Sequence, residues 1–157
     1  MRYLAGLLVL TALVIAGCGD TPDSQLINDA QESVKKELAK KYKPGECQKW
    51  QFMESSGVIK AGASKLVCDG AFNVDKGLSF SEEKVYRRDG FNAVCGKVSG
   101  YTDVGKISGE YIFTDKQGDN VTIKTSKSEL AMVNNEDSRK LQKLYDDLFN
   151  LQMKNCK

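Results

Sequence analysis

The chain predicts an α+β domain: an N-terminal helix, a mainly antiparallel sheet and a C-terminal helix, held by two disulfides. Three observations lead there. Apolar residues recur every fourth position near the start. Glycine-punctuated runs of β-branched and aromatic residues fill the middle, and a second helical stripe closes the chain.

From Ser24 to Tyr42, the residues Leu26, Ala30, Val34, Leu38 and Tyr42 lie on one helical face. Ser24 is available as N-cap, and Pro44 with Gly45 forms a stop. Between Glu46 and Thr125 the period shortens. Expected strands are Cys47–Met53, Lys65–Asn73, Leu78–Arg87, Asn92–Val98, Gly109–Thr114 and Asn120–Thr125. Asp69-Gly70, Asp89-Gly90 and Gln117-Gly118 read as turns. From about Ser138 to Lys154, Leu141, Leu144, Tyr145, Leu148 and Leu151 mark an amphipathic helix, with Glu136 and Asp137 near its positive end. Both stripes are expected to pack on the sheet.

Of the five cysteines, Cys18 stands apart, and Cys47, Cys68, Cys95 and Cys156 allow three pairings. Cys47–Cys68 is expected to join neighbouring strands, and Cys95–Cys156 to tie the last helix to the sheet. Each closed loop would stabilise the fold by roughly 3 to 4 kcal/mol. There is no Cys-x-x-Cys and no histidine, so neither metal nor cofactor is expected.

The absence of histidine also removes the commonest general base and both the Ser/His and Cys/His pairs, so no catalytic residue is assigned. The carboxylate neighbours Glu82/Glu83 and Asp146/Asp147 point in different directions on a strand or helix and are read as solvated surface. Gly96, Gly100, Gly105 and Gly109 match neither a dinucleotide nor a phosphate-loop pattern and are assigned to turns and close strand packing. Among them Tyr101, Tyr111 and Phe113 are the candidate partner-contact residues. Lysines 35, 36, 40, 41 and 43 are read as a solvent face paired with Glu32 and Glu37.

The N-terminus carries an address. Arg2 precedes an apolar run from Tyr3 to Val14, broken only by Thr11 and too short for a stable membrane span. Ile15-Ala16-Gly17-Cys18 then resembles the lipobox of bacterial lipoproteins. That resemblance implies cleavage after Gly17 and acylation of Cys18, with palmitate-like chains that hold the protein to a membrane. The expected organisation is a signal peptide at 1–17, a lipidated tether at 18–24 and one domain at 25–157. Removing Met1–Gly17 from 157 residues leaves 140, enough for one domain. Basic side chains fall from 23 to 22 against 21 acidic ones, a net +1 that gives no general pull toward nucleic acid.

Two further resemblances concern the middle of the chain. Val94-Cys95-Gly96-Lys97-Val98, followed by Gly105, Ser108-Gly109 and Phe113, resembles a motif of small uncharacterised bacterial and plasmid-borne proteins, Val-Cys-Gly-x-Val-Asn and then Gly-x-Tyr-x-Gly. Ser99 replaces the asparagine, and Lys106-Ile107 alters the following spacing. Those proteins end in a helix with a terminal cysteine, which also implies Cys95–Cys156. Ser108-Gly109-Glu110-Tyr111 is similar to the inhibitory loop of membrane-bound C-type lysozyme inhibitors, although its tyrosine comes one residue early.

The functional expectation is a non-enzymatic binding or structural module of the cell envelope. It would sit at the periplasmic face of the outer membrane, because Gly19 rather than aspartate follows Cys18. The expected partner is an envelope protein, as in a secretion or conjugation machine; oligomeric state is left open. Alternatives are a phage or plasmid exclusion factor, a lysozyme inhibitor and a histidine-free hydrolase.

Overall fold

A computed structural model of the chain describes residues 21–116, 120–127 and 135–157. The expected signal peptide, Cys18 and the Gln117-Gly118 turn lie outside them.

Helix α1, Asp23–Lys41, starts one residue before the expected N-cap and within the expected tether. The Pro22 carbonyl, not the Ser24 side chain, accepts from the N–H groups of Gln25 and Leu26. Its stripe behaves as its spacing requires, with Leu26, Ala30, Val34 and Leu38 all at most 3% exposed. Tyr42 is extended, and Gly45 turns the chain with φ +80°.

The next two segments differ from expectation. Glu46–Ser55 is helix α2 and Ser64–Asp69 is helix α3, not strands. In α2 the aromatic residues suggest a strand, yet Cys47, Trp50 and Met53 recur at helical spacing among good helix formers. Gly57 and Gly62, both at positive φ, bound the turn between the helices. There the Glu54 carboxylate accepts from the N–H groups of Gly62 at 2.6 Å and Ser64 at 2.9 Å. Hydrogen bonds from Ser64 and Gly62 hold its pKa below the usual carboxylate value. The Cys47–Cys68 disulfide forms as expected, with Cα atoms 4.7 Å apart, but it joins two helices.

A short 3-10 turn at Val74–Lys76 leads into an antiparallel meander of β1 (Leu78–Arg88), β2 (Phe91–Tyr101), β3 (Lys106–Thr114) and β4 (Asn120–Thr125), in that spatial order. Alternation divides the sheet into two faces. Val94, Val98, Ile107, Tyr111, Phe113 and Ile123 meet α1, while Cys95 and Ile112 face the other way. A register shift between Ser81 and Lys84 places Glu82 at φ +56°. After this bulge Glu83 reaches the α1 side, and Glu82 pairs with Lys97 at 2.8 Å on the other.

Helix α4, Glu136–Gln152, begins two residues earlier than expected. The Asn135 side chain caps it by accepting from the Ser138 N–H at 2.8 Å. It lies on the sheet face away from α1 and runs into a 3-10 turn, Met153–Cys156. The Cys95–Cys156 disulfide ties this end to β2, with Cα atoms 6.0 Å apart.

Two consecutive arginines join the chain's outer segments to one pole of the sheet. Arg87 donates to the Thr21 carbonyl at 2.8 Å and pairs with Asp23 at 2.6 Å, whereas Arg88 donates to the carbonyls of Asn155, at 2.9 Å, and Lys157. The beginning of α1 and the end of α4 therefore share a pole, on opposite faces. At the far pole the Tyr42 hydroxyl donates to Asp103 at 3.1 Å.

Candidate functional site

The three aromatic candidates do not form a surface. Tyr111 and Phe113 are each 1% exposed and belong to the core against α1, because the register puts odd-numbered residues of β3 on the covered face. Tyr101, at the end of β2, is 47% exposed and stands away from them. Ser108–Tyr111 lies within β3, hydrogen-bonded between β2 and β4, and is not a protruding loop.

The neighbouring carboxylates part as expected, although Glu83 is half-buried rather than solvated. It accepts from the Tyr111 hydroxyl and from Gln31, the latter at 2.9 Å. Burial, and then the hydrogen bond to Glu83, hold the Tyr111 pKa far above its usual value. Asp146 pairs with Lys124 at 2.9 Å and Asp147 with Lys143 at 3.1 Å.

A second polar cluster lies under the β2–β3 turn. Asp69 accepts from the fully buried Thr102 hydroxyl at 2.8 Å and from Lys127 at 2.6 Å. Burial opposes its ionisation, but Lys127 and Thr102 outweigh that and hold its pKa below the usual value. The Thr102 oxygen also accepts from the Gly105 N–H at 2.8 Å, which pins the turn. Both clusters are closed on themselves and serve the fold. Among the described residues no group of three or more acidic or cysteine side chains is placed to hold a metal.

The feature left open is the outer side of α4. Phe149, 4% exposed, packs on the sheet with Met153 and the Cys95–Cys156 bridge, and Lys124 sits 5.9 Å from its ring centre. Leu141 (41%), Leu144 (53%), Tyr145 (56%), Leu148 (48%) and Leu151 (56%) face outward. They are five of the nine exposed large hydrophobics among the described residues, and at helical spacing they share one side of α4, so they form a patch rather than a scatter. The helix is amphipathic as expected, but its stripe does not pack on the sheet. Leu148 stands about 100° round the helix from Phe149, and the bridge at Cys156 selects which side meets β2.

At its inner border the stripe turns into a groove of about 520 Å³, where Phe72, Ile123 and Tyr145 line the wall together with Lys41, Lys124 and Asp146. Leu141 and Tyr145 belong to both the groove and the stripe, and Lys140, Lys143 and Asp147 are exposed on the far side of the stripe. Such a surface suits docking of another apolar face. The periodicity marks these residues, but only the Phe149 and Cys156 contacts show that they lie off the side that meets the sheet.

Among the described residues no helix is long and apolar enough to cross a membrane. No protein-family model matches the chain, and neither a curated protein nor a solved structure matches it significantly.

Proposed function

We propose that the chain is a bacterial lipoprotein, anchored through an acylated Cys18 at the periplasmic face of the outer membrane, whose domain is a non-enzymatic binding module of the cell envelope. The lipobox supports the anchor, and Gly19 supports the choice of membrane. The observation that carries the binding role is the outward-facing stripe of α4, an apolar patch that packs on none of the other described residues' core clusters and stays exposed. Splitting of the carboxylate pairs onto separate partners favours binding over hydrolysis, and the position of Ser108–Tyr111 inside β3 removes the support for lysozyme inhibition. An accessory role in a secretion or conjugation machine fits this reading.

The test is cross-linking of the full chain in its own membrane, comparing wild type with Leu144→Glu and Cys18→Ala. Wild type should give a discrete cross-linked species. Leu144→Glu should lose it without a change in melting temperature, and Cys18→Ala should lose both membrane association and acyl labelling. Equal cross-linking by wild type and Leu144→Glu overturns the assignment of the face, and acyl labelling that survives Cys18→Ala overturns the anchor.

A further inference from the structure

Taking the α4 face as the docking surface, we infer that its occupant is the α4 of a second copy of this chain, packed parallel and in register. Three observations carry this, and a fourth sets its condition.

The first is spacing. Leu141, Leu144, Leu148 and Leu151 follow the three-four-three interval of two a/d heptads, the pattern with which a helix meets another helix rather than a sheet or an irregular groove. Phe149 and Met153, which do meet the sheet, stand outside that series.

The second is charge. With the leucines in register, Lys140 and Asp147 occupy g positions, and Tyr145 and Gln152 occupy e positions. A parallel pair sets Lys140 against the ring of Tyr145 of the other copy, and Asp147 against the amide of Gln152, so no like charges meet. An antiparallel pair sets Asp147 against Asp147 along one border and Tyr145 against Tyr145 along the other, so like charges meet on one border. A bilayer is a poorer occupant, because Asp147 stands among Lys140 and Lys143 beside the stripe, a mixed border rather than the cationic one of an interfacial helix.

The third is direction. Arg87 and Arg88 hold Thr21 and Asn155 at one pole. Cys18 lies three residues before Thr21, at most about 10 Å of chain. Copies anchored in one leaflet therefore present α4 with the same end toward the membrane, as parallel packing needs.

The fourth is size. Covering the stripe on both copies removes roughly 1,000 Å² in total, below the usual range for a stable specific complex. Confinement to a membrane raises the effective concentration and makes up the deficit. The pair should therefore form between anchored copies and dissociate when the anchor is missing.

The experiment uses the full acylated chain, disulfides intact, in vesicles of phosphatidylethanolamine and phosphatidylglycerol, with one cysteine added on α4. Leu144→Cys should cross-link to itself at least tenfold more than Lys143→Cys, which points away from the seam. Adding Leu148→Glu, or replacing Cys18 so that the chain is soluble, should remove that product. A benzophenone side chain at position 144 repeats the measurement without a new thiol.

A product formed only when Leu144→Cys and Leu148→Cys chains are mixed overturns the parallel arrangement. If no self-product forms, yet Leu148→Glu abolishes a cross-link to another envelope protein in native membranes, the self-partner falls and the docking face stands. If position 144 is instead shielded from an aqueous quencher by empty bilayer, with no protein product, both fall.

Discussion

Gly96 lies directly opposite Tyr111 across the β2–β3 pair, and the tyrosine side chain occupies the space that a side chain at 96 would need. A Cβ there would stand 2.8 Å from the Tyr111 hydroxyl and 2.9 Å from Glu83 Cγ, so Gly96→Ala must displace a buried ring. The expected cost is about 1–3 kcal/mol, read as a lowered denaturant midpoint at unchanged slope. Tyr111→Phe keeps the ring and leaves Glu83 with Gln31, so it should cost less, about 1 kcal/mol. Equal stability of wild type and Gly96→Ala would contradict the close approach.

The two disulfides should fail differently. Cys47→Ser with Cys68→Ser opens a link of sequence separation 21 and should cost about 3 kcal/mol. Its main effect should be faster amide exchange in α2 and α3. Cys95→Ser with Cys156→Ser opens one of separation 61 and should cost about 4 kcal/mol, with faster exchange in α4. Exchange mapped by mass spectrometry distinguishes them, and identical patterns would refute the separation.

Asp69 should make the domain acid-sensitive. Its folded-state pKa lies below the unfolded value, so its contribution is complete above the unfolded pKa and is lost as pH falls through the folded one, from about pH 4 downward. Asp69→Asn should cost about 1.5–3 kcal/mol at pH 7 through the weakened Lys127 and Thr102 bonds. The gap between the two proteins should narrow as the solution is acidified. A gap that widens toward pH 3 would reverse the sign.

Arg88 should control the end of α4 without touching α1. Arg88→Met removes the bonds to the Asn155 and Lys157 carbonyls and leaves Arg87 with Asp23. Exchange should rise in residues 153–157 and stay constant in 23–41. A rise in both segments would show that the two anchor points are coupled.

How much of this was legible in the sequence depended on whether a local pattern was long enough to fix its own neighbours. The four-residue repeat of α1 specified both helix and buried face. The β1–β2 hairpin was marked by Asp89-Gly90, and Gly90 does adopt φ +78°. In α2 and α3, six to ten residues carry too few periods to separate a helix from a strand. The Cys47–Cys68 pairing was therefore correct while the structural reason offered for it was not. Tyr111 and Phe113 are core because β3 is covered on that face, and alternation alone does not say which face is covered. The stripe of α4 was visible as a pattern, but its exposure follows from rotation of the helix about Phe149 and Cys156, a tertiary contact.

The covalent loops Cys47–Cys68 and Cys95–Cys156 follow one another along the chain without overlapping. The backbone thus contains two rings in tandem, bridged by the stretch that carries β1. A single cut by trypsin at Lys60, inside the first ring, leaves one molecule under non-reducing conditions and two fragments after reduction. A cut at Lys84, between the rings, separates the halves even with both bonds intact. Because neither ring encloses the other's cysteines, each can close without the chain threading through it, whichever forms first.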